Sequence, residues 1–162
     1  MRAHHHQSDA GLGNRRGFTL VDLTVTVLIM GIMASVATPA FSTFLNQARV
    51  DSAAMRIQAD LALARQTAIA KSTTTTITFA MMSGSYSVTG VDHPDHPGQA
   101  YVVDLAAYPY NSTVTMGLFG TGLTVQFNRF GKPADGGTLQ LQSGSATQTV
   151  TLNADTGKAS VP

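Results

Sequence analysis

The sequence predicts an α+β fold in which a long N-terminal helix, membrane-spanning over its first half, packs on a mostly antiparallel β-sheet head. Three observations carry that reading. Residues 18–37 (FTLVDLTVTVLIMGIMASVA) hold a single charge, residues 41–70 contain neither glycine nor proline, and beyond residue 71 threonine, valine and tyrosine recur in short runs broken by glycine, proline and asparagine. A chain of 162 residues has room for one hydrophobic core.

Residues 1–17 are polar, contain glycine and end in Arg15-Arg16-Gly17, with no apolar periodicity, so they read as a leader that is removed. The next stretch, residues 18–38, is apolar over about twenty positions, which at roughly 1.5 Å per residue reaches about 30 Å, the thickness of a bilayer core. Arg15 and Arg16 just before it place the leader in the cytoplasm and the remainder outside. Residues 39–71 are rich in alanine, leucine, arginine and glutamine and continue the helix as its extracytoplasmic half.

At about 100° per residue the apolar positions of that half fall into two stripes. One holds Phe41, Phe44, Ala48, Met55, Ala59 and Ala62, and the other Val50, Ile57, Leu61 and Ala68. A helix lying on its own head needs one stripe, so the second is available to a neighbouring subunit or is sunk in a deep groove. Arg56 and Asp60 stand one turn apart between the stripes, spaced to pair. Residues 72–162 form the head, with strands expected at 74–79, 86–91, 101–105, 113–118, 123–129, 138–142, 147–152 and 158–161. The alternation at Leu139 and Leu141, and at Val150 and Leu152, calls for sheets with one buried face.

Composition excludes several chemistries. The chain has no cysteine, hence no disulfide, thiolate ligand or thiol nucleophile. Its net charge is +1, and loss of Arg2, Arg15, Arg16 and Asp9 with the leader would leave seven bases against eight acids, all of them aspartates. That balance offers nucleic acid little. The only histidines past the leader, His93 and His96, share one loop, so no serine or other nucleophile gains a distant histidine and acid, and no enzyme is expected. The glycines of 117–122 lack the helix and lysine of a phosphate loop. His4, His5 and His6 fall in the leader, and Asp92-His93-Pro94-Asp95-His96 packs four donors into a stretch stiffened by proline, read as a solvated loop. No metal or other cofactor is expected.

The junction Arg15-Arg16-Gly17-Phe18-Thr19-Leu20-Val21-Asp22 resembles the type IV prepilin signature, a basic leader ending in glycine followed by Phe-Thr-Leu, an aliphatic residue and an acid. The resemblance implies cleavage between Gly17 and Phe18 by a prepilin peptidase, N-methylation of Phe18, and assembly into a filament through the N-terminal helix. A charge at the centre of a membrane helix costs about 2.5–3.5 kcal/mol, and less near its end, so Asp22 calls for a partner. The α-amine freed at Phe18 of an adjacent subunit supplies one. Glutamate is usual at this position, and aspartate is shorter by one methylene. Pro39 resembles the proline that interrupts the helix in pilins, where a kink or local melting is expected.

Phe127-Asn128-Arg129-Phe130-Gly131-Lys132-Pro133, Asp155-Thr156-Gly157-Lys158 and the helix stretch 62–69 (ALARQTAI) are similar to the GspH/FimT group of minor pseudopilins and minor pilins. The implied partners are other pilins or pseudopilins, a prepilin peptidase and an assembly platform in the bacterial inner membrane, the chain itself being a single-pass protein with its head outside. Some pilus members of the group bind DNA. Here the bases past residue 71 are only Arg129, Lys132 and Lys158, against Asp92, Asp95, Asp104, Asp135 and Asp155, so nucleic acid is not an expected partner. Arg15-Arg16-Gly17-Phe18 also fits a twin-arginine signal, with Ser35-Val36-Ala37 as a cleavage site releasing a soluble β domain. Asp22, Pro39 and the helical continuation to Ala70 weigh against that alternative, and Asp22 also against a plain anchored protein.

Overall fold

The computed structural model describes residues 18–162 and, at 36–40, the backbone alone. The leader and Gly17 lie outside the described residues. Helix α1 runs Leu20–Lys71. It begins at Thr19, whose hydroxyl and carbonyl accept the amides of Asp22 and Leu23 at 3.2 Å each, satisfying donors that a helix start leaves bare. It ends where Ser72 turns left-handed (φ 51°), and the Thr73 and Ser72 amides reach back to the carbonyls of Ala68 and Ile69, as in a Schellman cap. By contacts the chain divides into two units, Met1–Thr38 and Pro39–Pro162, and α1 contributes to both.

The membrane-spanning half-helix expected over 18–38 is corrected, together with the single-pass inner-membrane topology drawn from it. Among the described residues no helix is long and apolar enough to cross a membrane. The apolar part of α1 whose side chains are described, residues 20–35, is shorter than the roughly 17–25 residues that a span needs, and Asp22 lies within it.

Eight strands follow: β1 Thr75–Phe79, β2 Ser85–Thr89, β3 Tyr101–Asp104, β4 Thr113–Phe119, β5 Thr124–Phe127, β6 Gly137–Ser143, β7 Ala146–Leu152 and β8 Ala159–Ser160. They form two four-stranded sheets, ordered β3-β2-β1-β5 and β4-β6-β7-β8, every pairing antiparallel. The turn after β1 connects the sheets, since the Met82 amide donates to the Val114 carbonyl at 3.0 Å and the Val114 amide to the Ser83 carbonyl at 2.9 Å. Across that seam the rings of Phe79 and Phe119 stack at 5.9 Å.

The core of the second unit lies between α1 and the inner faces of both sheets. Val50, Ala53, Ala54, Ile57, Leu61, Ala64 and Ala68 recur every three or four residues along the helix and are all buried. They meet Ile77, Val88, Val125 and Phe127 of the first sheet and Val114, Leu139, Leu141, Val150 and Leu152 of the second in one hydrophobic cluster. Each large side chain so buried contributes about 1.5–3 kcal/mol against exposure. The Thr75 hydroxyl donates to the Ala64 carbonyl at 3.0 Å, which joins β1 to the helix at a position where Thr75 is wholly buried.

Candidate assembly surface

The first unit presents apolar side chains on every side of its helix. Leu20, Val21, Leu23, Val25, Val27, Leu28, Ile29, Met30, Ile32 and Met33 are all exposed, and at about 100° per residue they circle the axis. The hydroxyls among them turn inward to their own backbone. Thr24 donates to the Val21 carbonyl (2.9 Å), Thr26 to Asp22 (2.6 Å) and Ser35 to Ile32 (2.7 Å), so the polar residues offer a packing partner chiefly their methyl and methylene groups. Phe18 stands ahead of the helix, 83% exposed. Asp22 occupies the first turn, where the helix dipole favours negative charge by about 0.3–1 kcal/mol. Pro39 lies within α1 as the first residue of the second unit.

In the second unit the two stripes of α1 separate cleanly. Val50, Ile57, Leu61 and Ala68 pack into the head, while Phe41, Phe44, Ala48, Met55, Ala59 and Ala62 are all exposed. Phe44 is 72% exposed and Met55 63%, values that leave both available to a partner rather than sunk in a groove of their own head.

Between the stripes sits a polar cluster that spacing along the helix reveals only in half. Arg56 Nε lies 3.2 Å from Asp60 Oδ2, as one turn of helix allows, but Asp60 is just 4% exposed. Its carboxylate also accepts the hydroxyls of Tyr86 on β2 and Tyr101 on β3, the latter at 2.7 Å, and Arg56 Nη2 donates to the Tyr101 oxygen at 3.0 Å. Burial, then the hydrogen bond to Asp60, push Tyr101 up to about 12, and burial with the same carboxylate raises Tyr86 as well. Burial opposes the charge of Arg56, yet Asp60 and the tyrosines hold the guanidinium above its ordinary value. The sign for stability follows from the tyrosines. A raised value means the contribution is complete below pH 10 and is lost as pH climbs through about 12. Thermal melts between pH 8 and 12 should therefore show a decline that Tyr101→Phe flattens, and an unchanged decline in that variant would remove Tyr101 from the account.

The far end of the helix gathers three segments that are remote in sequence. Arg65 Nε donates to the Gly131 carbonyl at 3.1 Å, fixing the 128–132 turn, which Asn128 closes by accepting the amides of Phe130 and Lys132. Gly131 (φ 73°) and Gly157 (φ 63°) meet there; a Cβ on Gly157 would come within 2.6 Å of the Gly131 oxygen, and one on Gly131 within 2.6 Å of Ile69 Cδ1. Left-handed backbone and close approach both demand glycine at these two positions. The three stretches 62–69, 127–133 and 155–158 thus form one corner, where Gln58, Ala62, Arg65, Gln66 and Lys158 line an open pocket of about 160 Å³.

The histidine loop uses its donors locally. His93 Nδ1 accepts the amides of Asp95 and His96 at 3.1 Å each, and Asp92 pairs with Lys71 at 2.7 Å. No metal-ligating group of three or more occurs among the described residues. Gly17 and the three leader histidines lie outside them. Sequence reasoning missed the capping role of Thr19, which the Thr-x-x-Asp spacing of Thr19 and Asp22 signals. It also missed Tyr86 and Tyr101 as partners of Asp60, for which no local signal exists.

Comparison with known proteins supplies the family context. The model of the family described as Type II transport protein GspH matches residues 53–156. No curated protein matches the chain in sequence. Among solved structures, the type IV minor pilin FimU of Pseudomonas aeruginosa (strain PAO1) is similar in two crystal forms. One gives a TM-score of 0.53 at 15% identity over 70% of this chain and 87% of FimU. The other gives 0.51 at 15% identity over 69% and 91%. At that identity the likeness is one of fold.

Proposed function

The chain belongs to the GspH family of type II transport proteins, and from that premise we propose that it is a minor pseudopilin or minor pilin, cut between Gly17 and Phe18 by a prepilin peptidase, N-methylated at Phe18 and assembled through its N-terminal helix. As a pilin-family protein it is a structural subunit of a filament assembly system. The observation that carries the finer reading is the helix of the first unit, apolar around its whole circumference and exposed at every described side chain. Burying those ten large side chains in a bundle of like helices would release on the order of 15–30 kcal/mol before the cost of association. Other pilins or pseudopilins of the same filament present the matching surface.

Within such a bundle Asp22 loses its water, and an isolated buried carboxylate is costly. The α-amine created at Phe18 of the adjoining subunit would neutralise it. Pro39 has no amide to offer the Ser35 carbonyl one turn earlier, so the helix is weakest where the two units join. The test is Asp22→Ala. Mass spectrometry should still find methyl-Phe18 at the N-terminus, while the amount recovered in sheared filaments should drop about tenfold or more, as expected for an unneutralised charge partner. Normal incorporation would remove the pairing role, and an N-terminus beginning elsewhere would remove the processing.

A further inference from the structure

The pocket at the far end of α1 has the chemistry of a receptor for one carboxylate, and we propose that it takes an acidic side chain of a neighbouring filament subunit. Its lining carries two cations, Arg65 and Lys158, and no acid. Among the described residues neither makes an ion pair, whereas Arg56 and Lys71 of α1 do. Arg65 spends only Nε, on the Gly131 carbonyl, and Gln58 spends Nε2 on the Ala159 carbonyl at 2.9 Å. These bonds hold the walls, and they leave the two terminal nitrogens of the guanidinium without a partner among the described residues. A guanidinium whose plane is already fixed loses little freedom on accepting a carboxylate with both of those groups.

Size and surroundings select the occupant. About 160 Å³ accommodates a carboxylate with the methylenes that bear it, given roughly 30 Å³ for a water. Ala62, in the pocket lining, is also the last member of the exposed stripe from Phe41 through Met55 and Ala59. The pocket therefore adjoins the exposed stripe of the second unit, which is available to a partner, and the inference rests on the filament reading proposed above. A partner segment laid along the stripe would end with its acid over Arg65. A nucleic acid instead needs a track of bases that neutralises successive phosphates, and the five aspartates past residue 71 oppose one.

The test uses the full chain labelled with nitrogen-15 and, as probe, N-acetyl-aspartate α-amide at constant ionic strength, with the N-acetyl-asparagine amide as its neutral control. The Arg65 Nε–H resonance should shift saturably with the acid and stay still with the amide. Read on the side-chain amides of Gln58 and Gln66, which line the same pocket and survive both substitutions, Arg65→Gln should weaken binding about tenfold or more, as the loss of charge-assisted hydrogen bonds does, and Lys158→Gln should weaken it less. Lys158→Gln leaves the Gly131 bond intact and so guards against misfolding of the first variant. Equal shifts with acid and amide, wild-type affinity in both variants, or tighter binding of a single-stranded oligonucleotide than of the acid would each overturn the proposal. Probe binding is read on the isolated chain and filament incorporation is not, so failure here leaves the filament reading standing, and failure of Asp22→Ala to block assembly leaves the pocket standing.

Discussion

Replacing Asp60 with alanine is expected to destabilise the head by about 3–5 kcal/mol, the cost of removing one member of a buried charged network. The ion pair with Arg56 is not the main cause, because the Arg56 side chain is 36% exposed and such one-turn pairs are worth about 0.3–0.5 kcal/mol. The larger loss comes from Tyr86 and Tyr101. Both are almost wholly buried, and both hydroxyls donate to this carboxylate. Alanine leaves two buried hydroxyls without their acceptor and opens space beside them. Tyr86→Phe removes a single donor and should cost about 1–2 kcal/mol. Urea unfolding followed by circular dichroism separates the two. A loss below about 1 kcal/mol for Asp60→Ala would mean that water replaces the carboxylate and that the cluster is not what holds helix to sheet.

Phe44→Asp is expected to do the opposite: stability within about 0.5 kcal/mol of the unchanged chain, and filament incorporation lowered at least about tenfold. Phe44 touches solvent over most of its surface and belongs to none of the core cluster, so the folded head scarcely registers the change. In a filament the same position would carry an aspartate into an apolar contact with no cation provided for it, and an aromatic anchor at the centre of an interface is commonly worth 2 kcal/mol or more. Met55→Asp, further along the same stripe, should behave alike. The readout is the fraction of protein recovered with sheared filaments, beside a melting curve of the isolated chain. Full incorporation of both variants would show that this stripe faces solvent in the assembled state.

Much of this architecture can be read from local pattern. Each of the eight strands lies where alternation and turn residues put it, and the helix ends beside Lys71 because the chain there passes from good helix formers to Ser72 and a run of threonines. The two stripes of α1 follow from the 3.6-residue repeat alone. Hydrophobicity in residues 18–38 misled, since composition alone reads as a span, whereas among the described residues no helix is long and apolar enough to cross a membrane. Arg56 and Asp60 read as a pair by spacing alone, and the burial of Asp60 depends on strands that lie 26 and 41 residues beyond it.

By itself, then, the sequence determined the helix with its two stripes, the eight strands and the inward face of Leu139, Leu141, Val150 and Leu152, because backbone geometry imposes repeats of 3.6 and 2 that a few neighbouring residues suffice to display. Tertiary structure decided which stripe is buried, that the strands divide into two sheets, that two tyrosines close on Asp60, and that the 127–133 and 155–158 segments meet at Arg65. Those outcomes are choices among partners far apart in the chain. They are settled by which combination fills space and satisfies its polar groups, a property of the packed whole that no short stretch of residues encodes.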